Sequence, residues 1–322
     1  MSCEFGNRLK ISIFGESHSQ QIGVQISGLP SGFVPDEKAL AAFMSTRAPG
    51  NSPLTTARHE PDKVLLTCEN GIFTAVINNT DRHSSDYSEL YKKPRPSHAD
   101  YPAYMKYGDS FDISGGGKYS GRMTAPLCAA GALCLQYLRS DGIDIGAHLS
   151  LCAGIADIPF DSLNDDLPAL HRAEGKDMPF LDDKAGAKAA EKLLKLKSLG
   201  DSAGGQVECK VTGLLPGIGD HMFGGLENRI SACVFGIPAV KAVEFGAGTL
   251  FAGMTGSTCN DEFYYDDGKV KTFTNNCGGI LGGMSSGMPL IFRCTFKPTP
   301  SIAKTQRTVD KKKKKNTEIT IK

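Results

Sequence analysis

Two histidines stand in sequence contexts that suit acid–base chemistry. His18 follows Gly15-Glu16-Ser17 at the end of an alternating apolar and polar run, which places it at a strand terminus. His98 lies in Arg95-Pro96-Ser97-His98-Ala99-Asp100-Tyr101, where the carboxylate two residues further on can orient an imidazole. Because the unperturbed pKa of histidine is about 6.5, the pair suits proton delivery near neutral pH. Each histidine on its own is also compatible with a structural role.

A glycine-rich loop over residues 114–122, S-G-G-G-K-Y-S-G-R, has the composition of a phosphate-binding site. It offers backbone N–H groups, a lysine, hydroxyls and an arginine just before a predicted helix. A second glycine-rich element, Asn275 to Gly283, precedes Lys297-Pro298-Thr299-Pro300-Ser301, where prolines hold polar groups in an extended presentation. Neither the Walker A spacing nor a strand followed by G-x-G-x-x-G occurs, which disfavours a kinase and a Rossmann-type dehydrogenase. Both glycine elements are also compatible with surface turns.

Four arginines fall in the polar stretch before the first glycine loop, and forked guanidiniums suit bidentate binding of carboxylates and phosphates. They are Arg47, Arg58, Arg82 and Arg95. Solvation at the surface is the alternative for each of them. No residues have metal-ligand spacing, so no metal is predicted.

Composition excludes several other classes of protein. The chain has 322 residues, 40% of them hydrophobic, and a net charge of +1, which gives no electrostatic argument for nucleic acid or a membrane surface. No apolar run approaches the roughly 18 residues of a membrane span, and the N-terminal residues lack the pattern of a signal peptide. Ten scattered cysteines without a C-x-x-C pair are predicted to be reduced and mostly buried, in a cytoplasmic protein. The lysine run from Lys311 to Lys315 is predicted to be a solvated turn.

Hydrophobic periodicity predicts strands and helices alternating along the chain, which indicates an α/β fold. Two similar halves are also suggested, because a glycine cluster precedes apolar sequence twice. One helix is predicted to begin at Pro35. Three further helices are predicted over residues 124–138, 184–196 and 226–235, and the helix over residues 124–138 is expected to be buried. The predicted strands cover residues 9–14, 22–29, 206–212, 240–245 and 290–296, with a hairpin turn at Asp266-Asp267-Gly268.

These residues by themselves indicate an anion-binding α/β enzyme with a phosphate-bearing cofactor. Their order along the chain carries a more specific resemblance. The segments G-E-S-H, R-P-x-H-A-D-Y, G-G-G-x-x-S-G-R, G-G-I-L-G-G and K-P-T-P-S-I follow one another as they do in the chorismate synthase family, and the resemblance runs from Gly6 to Lys322. It implies one domain over residues 1–322, built as a β-α-β sandwich with helices between sheets, and a homotetramer.

The resemblance also implies a reaction, namely the reduced-FMN-dependent anti-1,4-elimination of phosphate from 5-enolpyruvylshikimate 3-phosphate, which gives chorismate. By similarity His18 protonates reduced flavin, His98 protonates the departing phosphate, and Arg47 binds an anion of the substrate or of a nucleotide. NADPH or an external flavin reductase would supply the electrons. The residues implied for FMN are Lys118, Tyr119, Ser120, Pro238, Ala239, Gly282, Lys297, Pro298, Thr299, Pro300 and Ser301.

The chain departs from the family pattern at three places. Ser19 and Ser97 replace glycines that usually follow the first motif and precede the second histidine. A segment of the T-G-T-P type is missing after Thr74, where we expect a flexible loop beside the flavin. The sequence ends at Lys322, before an expected G-R-H-D-P element, so a complete chain would be impaired and a chain lacking only flexible segments would be an ordinary enzyme. The alternatives are therefore an NADPH-dependent flavin reductase and a catalytically impaired flavin-binding protein.

Overall fold

A computed structural model describes residues 3–50, 52–54, 58–80, 88–110 and 114–321. The chain divides into two compact units. The first unit comprises Met1–Tyr137, Leu194–Ser202 and Thr299–Lys322, and the second comprises Leu138–Leu193 and Ala203–Pro298.

The first unit is built on a five-stranded antiparallel sheet whose strands lie in the order β1 (Cys3–Gly6), β2 (Lys10–Phe14), β3 (Gln21–Ser27), β5 (Ile72–Asn78) and β4 (Val64–Glu69). Its core joins the inner face of β3 to the buried side chains Leu40 and Met44 of α1 and Leu133 of α4. Asp36 caps α1 by accepting from the backbone N–H groups of Lys38 and Ala39. The elements are β1 Cys3–Gly6, β2 Lys10–Phe14, β3 Gln21–Ser27, α1 Glu37–Arg47, β4 Val64–Glu69, β5 Ile72–Asn78, α2 Ser88–Lys92, α3 Asp100–Tyr107 and α4 Thr124–Ser140.

The second unit is built on another five-stranded antiparallel sheet, with order β7-β6-β8-β14-β9. Its elements are β6 Asp144–Cys152, β7 Ile155–Ala156, α5 Leu167–Leu170, α6 Asp183–Ser198, β8 Gly205–Thr212, α7 Leu226–Val234, β9 Val240–Phe245, α8 Gly256–Cys259, β10 Phe263–Asp266, β11 Lys269–Thr272, β12 Ile280–Leu281, β13 Met284–Ser285 and β14 Leu290–Phe296. A hairpin of β15 Gln306–Asp310 and β16 Lys315–Ile319 then belongs to the first unit.

The mixture of helices and sheets predicted from periodicity is confirmed. Each unit contains one five-stranded antiparallel sheet, which agrees with the predicted two similar halves. The predicted helix over residues 124–138 is α4, and the predicted strands at 240–245 and 290–296 are β9 and β14. A single domain over residues 1–322 stays a prediction. Among the described residues, no helix is both long enough and apolar enough to cross a membrane.

Two expectations are wrong. The point after Thr74 lies inside β5 and not in a loop, because Thr74 and Ala75 pair with Gln25 and Val24 of β3 in unbroken register. The ten cysteines are unpaired as predicted, but they are not mostly buried. Only Cys152 and Cys294 are buried, whereas Cys3, Cys68 and Cys233 are exposed.

Candidate active site

The first glycine loop has a backbone that only glycine adopts easily. Gly115, Gly116 and Gly117 have φ angles of 58°, 86° and 54° in a short 3-10 segment over Ser114–Tyr119. Left-handed backbone of this kind strains residues that carry a Cβ atom. The turn between β2 and β3 is tied to the loop, because the backbone N–H of Ser17 donates to the carbonyl of Gly117 at 3.3 Å. A second 3-10 turn, Gly121–Met123, then leads into the N-terminus of α4.

His18 and His98 both lie against this loop. A Cβ built on Gly115 would stand 2.2 Å from Cδ2 and 2.3 Å from Nε2 of His18. A Cβ built on Gly116 would stand 3.5 Å from Nε2 of His98. Position 115 therefore has to be glycine for His18 to occupy its place, and Nε2 of His98 is directed at the next residue of the same loop. The structure brings the two predicted histidines to consecutive glycines.

A buried carboxylate orients His98. Nδ1 of His98 lies 2.6 Å from Oδ1 of Asp100, the first residue of α3, whose side chain is fully buried. Arg95 holds the same carboxylate through Nε at 2.8 Å, Nη2 at 2.8 Å and its backbone N–H at 3.0 Å. Burial acts to raise the pKa of Asp100, but the hydrogen bonds and charges of Arg95 and His98 outweigh it and hold that pKa below its usual range. Asp100 therefore stays ionised, which favours the Nδ1-protonated imidazole and leaves Nε2 for the loop.

Two arginines share a second buried carboxylate beside the loop. Asp62 accepts from Arg47 on Oδ2 and from Arg122 on Oδ1, and its side chain is fully buried. Arg47 also donates to Oγ1 of Thr124, the first residue of α4, at 3.4 Å. The anion candidate Arg47 is thus fixed at a helix N-terminus, where the helix dipole favours negative charge.

Glu60 fixes a third arginine and ties it to the turn that carries His18. Its Oε1 accepts from Nε and Nη2 of Arg58, and its Oε2 accepts from the backbone and hydroxyl of Thr80. Arg58 in turn donates to Oγ and to the carbonyl oxygen of Ser17. Nδ2 of Asn79 donates to the same carbonyl at 3.3 Å. The residue before His18 is therefore held from two sides.

This polar cluster carries an unbalanced positive charge. Three guanidiniums, Arg47, Arg58 and Arg122, face two carboxylates, Glu60 and Asp62. Nη2 of Arg122 is buried and has no hydrogen-bond partner among the described residues, with the nearest carboxylate oxygen of Glu60 at 4.0 Å. Burial lowers the pKa of Arg122, while Asp62 and Glu60 oppose this effect. A buried donor without a partner and an excess cation both fit a bound anion.

The other predicted residues of the first unit lie on the loop and in the segment after β14. Lys118 pairs with Glu16 at 3.4 Å, and Tyr119 exchanges a side-chain hydrogen bond with Tyr107 at the end of α3. Oγ of Ser120 accepts from the backbone N–H of Arg122 at 3.3 Å.

Ser301 joins the His98 group, because its Oγ accepts from Nη1 of Arg95 at 3.1 Å. The carbonyl of Thr299 accepts from Ser202 at 2.7 Å. Pro300 lies between Thr299 and Ser301 in this segment.

The remaining predicted residues belong to the second unit. The backbone N–H of Lys297 donates to the carbonyl of Ala239 at 3.0 Å, and Ala239 has a φ of 74°. Burial lowers the pKa of Lys297, and the positive charge of Lys241 lowers it further. Gly282 forms the turn between β12 and β13 with a φ of 60°, and Pro238 and Pro298 flank the Ala239–Lys297 contact in sequence. That these residues and those of the first unit form one flavin site stays a prediction.

Sequence reasoning missed the acidic and amide members of the site. Glu60, Asp62 and Asn79 organise the arginines, yet none of them was predicted as a site residue. The available signal was the pair of carboxylates in Glu60-Pro61-Asp62, which lies just after Arg58 within the polar stretch that carries the four arginines. Arg82, one of the four predicted arginines, lies outside the described residues.

The fold and the site define an α/β enzyme in which two histidines and an arginine cluster surround a glycine loop. Comparisons with known proteins agree with this class. The family described as chorismate synthase matches residues 9–322. The chorismate synthase of Lancefieldella parvula is 43% identical over 328 residues, covering 96% of this chain and 86% of that protein. That of Methanococcoides burtonii is 41% identical, covering 99% of this chain and 87% of that protein.

A solved structure described as a crystal structure of chorismate synthase has the same fold, with a TM-score of 0.74, 23% identity, and coverage of 91% of this chain and 84% of that one. The chain belongs to the chorismate synthase family. It is thus a lyase that acts on a small-molecule substrate. The family belongs to the shikimate pathway of aromatic biosynthesis.

Proposed function

We propose that this chain eliminates phosphate from 5-enolpyruvylshikimate 3-phosphate in an anti-1,4 sense and releases chorismate, with reduced FMN as cofactor. The observation that carries the proposal is that His18 and His98 flank one glycine loop beside a cationic cluster. The reaction needs an acid for the departing phosphate and cations for its charges, and this site offers both.

His98 serves as the acid for the departing phosphate. Its Nε2 is directed at Gly116, and its Nδ1 bonds Asp100 at 2.6 Å. The buried carboxylate fixes the orientation of the ring and turns Nε2 toward the loop. A proton at Nε2 can then pass to the phosphate oxygen as the C–O bond breaks.

His18 serves as the proton donor that keeps reduced flavin in its reactive protonation state. Its ring packs on Gly115 with no room for a Cβ, and its neighbour Ser17 is held by Arg58 and Asn79. This double restraint fixes the imidazole relative to the loop.

Arg47, Arg58 and Arg122 bind the carboxylates and phosphate of the substrate. Asp62 and Glu60 hold these guanidiniums in place without neutralising all of them. A dianionic phosphate suits the excess charge and the unpartnered Nη2 of Arg122.

The residues present fit FMN at two places. The loop has three left-handed glycines in succession, a backbone type that suits phosphate groups, and Lys118, Tyr119 and Ser120 follow directly. In the second unit, Lys297 and Lys241 are two neighbouring cations whose mutual repulsion an anionic group would relieve. We assign Lys118, Tyr119, Ser120, Pro238, Ala239, Gly282 and Lys297 to Ser301 to this cofactor. When bound at these residues, reduced FMN would supply electron density that assists loss of phosphate, and it would regain that electron density at the end of the reaction.

Anaerobic chorismate formation with photoreduced FMN tests the proposal. Activity should appear only with reduced flavin and should fall by about 100-fold or more in His18→Ala and in His98→Ala. His221→Ala is the matched control, because the His221 side chain is exposed and bonds its neighbour Asp220. Folded protein that binds FMN and yields no chorismate contradicts the proposal. A parallel assay with NADPH in place of light shows whether the chain takes its electrons from that donor or from an external reductase.

We further propose a homotetramer in which residues 1–322 act as one domain. Exposed aromatic surface supports self-association, because Phe263 and Tyr265 of β10 and Val270 of β11 share one face of a hairpin and are 62%, 80% and 46% exposed. Light scattering coupled to size exclusion measures the oligomeric state directly.

A cytoplasmic location is supported by ten unpaired cysteines, and cell fractionation tests it.

A further inference from the structure

A groove of about 300 Å³ lies on the first unit between α3 and the turn of the β15–β16 hairpin. Its helical wall consists of Tyr101, Tyr104 and Met105, which are spaced i, i+3 and i+4 and so share one face of α3. Its other wall carries Lys311, Lys314 and Lys315. The groove therefore combines aromatic surface with a concentration of ammonium groups.

The hairpin wall is anchored to the rest of the first unit. The backbone N–H of Lys311 donates to the carbonyl of Lys92 at 2.9 Å, and the hydroxyl of Thr308 donates to the carbonyl of Pro94 at 2.5 Å. Asp310 closes the turn by accepting from the backbone N–H groups of Lys312 and Lys313. The lysine run, predicted from sequence to be a solvated turn, is thus held in a defined place beside α3.

One lysine of the groove contacts one of its aromatic rings. Nζ of Lys311 stands 3.7 Å from the ring centroid of Tyr104, a cation–π contact that places an ammonium group over an aromatic face. The one carboxylate in the lining, Asp310, is 4% exposed and is engaged by backbone N–H groups. Among the described residues that line the groove, Lys314 and Lys315 therefore supply positive charge and Asp310 is the one carboxylate.

We propose that this groove binds a small organic anion that carries one flat ring. The anionic group is either the carboxylate of an aromatic acid or the phosphate of an aryl phosphate, because both place negative charge beside a flat ring. The ring would pack on Tyr101 and Met105, which are 50% and 64% exposed, and the anionic group would face Lys314 and Lys315. The volume is at the lower limit for small-molecule pockets, so one ring with its anionic group is the expected size. This site is additional to the proposed reaction and uses none of the residues assigned to it.

Methyl-labelled methionine gives a direct readout of the groove in the full chain. Carbon–proton spectra of protein labelled at the methionine methyls would be followed during titration, with the Met105 signal assigned from Met105→Leu. Benzoate and phenyl phosphate test the two anion types, cyclohexanecarboxylate tests a ring that is not flat, and inorganic phosphate tests an anion without a ring. The flat-ring anions should shift the Met105 signal and bind about fivefold or more tightly than the other two.

Matched variants separate a built site from diffuse charge. Lys314→Gln with Lys315→Gln removes two lining cations and should weaken benzoate binding by about fivefold or more, whereas Lys312→Gln with Lys313→Gln removes two cations of the same run that do not line the groove. Tyr104→Leu should weaken benzoate binding as well. If Tyr104→Leu does not fold, Tyr101→Leu serves in its place, because Tyr101 is exposed. Equal weakening in both lysine pairs, equal affinity for inorganic phosphate, or no shift of the Met105 signal would each overturn the proposal.

Discussion

Asp100 lies with its Oδ1 2.6 Å from Nδ1 of His98, and three donors of Arg95 hold the same carboxylate. The arrangement defines which nitrogen of His98 faces the glycine loop. It also joins the start of α3 to the segment after β14, because Arg95 bonds Ser301.

Asp100→Asn should lower kcat by about 10- to 100-fold, because the amide keeps the shape of the carboxylate but no longer offers two acceptor oxygens that orient the His98 ring. KM should change little, since Asp100 is fully buried and does not face the substrate. Steady-state kinetics across pH would check this, with circular dichroism as the control for folding. A variant that loses stability but keeps the wild-type kcat and pH profile would show that the carboxylate is only structural.

Arg47→Gln and Arg122→Gln should separate ligand binding from stability. Loss of either arginine leaves the buried carboxylate of Asp62 with one partner. Arg47 is 19% exposed, so its loss should raise KM by about tenfold and destabilise the chain less than loss of Arg122 does. Arg122 is 3% exposed and also donates from Nε to Oδ1 of Asn79, so its loss should lower the free energy of unfolding by about 3 kcal/mol. Arg8→Gln, at an exposed position, is the control. Denaturant titration and substrate kinetics measure the two effects, and unchanged KM in both variants would remove the arginines from the site.

Gly115→Ala should abolish most activity, by about 100-fold, because the new Cβ would lie 2.2 Å from the His18 ring and displace it. Left-handed backbone adds a cost of about 1 kcal/mol at φ 58°. Gly32→Ala is the matched control, since Gly32 has a φ of 88° but nothing within 4 Å of its built Cβ. Both variants should carry the cost of the left-handed backbone, and only the first should lose activity. Equal activity in the two would mean that His18 does not need its observed position.

Ser97→Gly should stabilise the chain or leave its stability unchanged. Ser97 has a φ of 57°, in the left-handed region where a side chain costs about 1 kcal/mol, and the family resemblance expects glycine there. Ser19→Gly should destabilise instead, because Oγ of Ser19 bonds the backbone N–H and carbonyl of Glu16. Thermal unfolding of the two variants measures the contrast. A melting temperature that falls in both would show that Ser97 is not strained.

Local sequence determined what could be predicted of the fold and the site. The helix α4 and the strands β9 and β14 follow from periodicity within one segment, and the glycine loop follows from its own composition. The role of Asp62 was not predictable, because Arg47 and Arg122 come from distant segments that meet only in the folded chain. The continuity of β5 was missed for a related reason. The family pattern suggested a loop after Thr74, but β5 continues through this position because it pairs with β3 on one side and β4 on the other.

Stability should decline in acid because buried carboxylates titrate at lower pH in the folded chain. Burial acts to raise the pKa of Glu208, but hydrogen bonds from His148 and from the backbone of Phe160 lower it overall, as Arg95 and His98 do for Asp100. An unfolded chain binds protons at these groups near pH 4, where the folded chain does not. Their contribution is therefore complete above about pH 5 and is lost as the pH falls.

Glu208→Gln should lower the free energy of unfolding at pH 7 by about 3 kcal/mol, because His148 and Arg293 lose their charged partner. Its stability should also vary less between pH 5 and pH 3 than that of the unchanged chain. Asp266→Asn is the control, since that carboxylate is 47% exposed and pairs with Lys271 at the surface. Urea titrations at several pH values measure the slopes. Identical acid slopes for Glu208→Gln and the unchanged chain would mean that the proton uptake on unfolding occurs elsewhere.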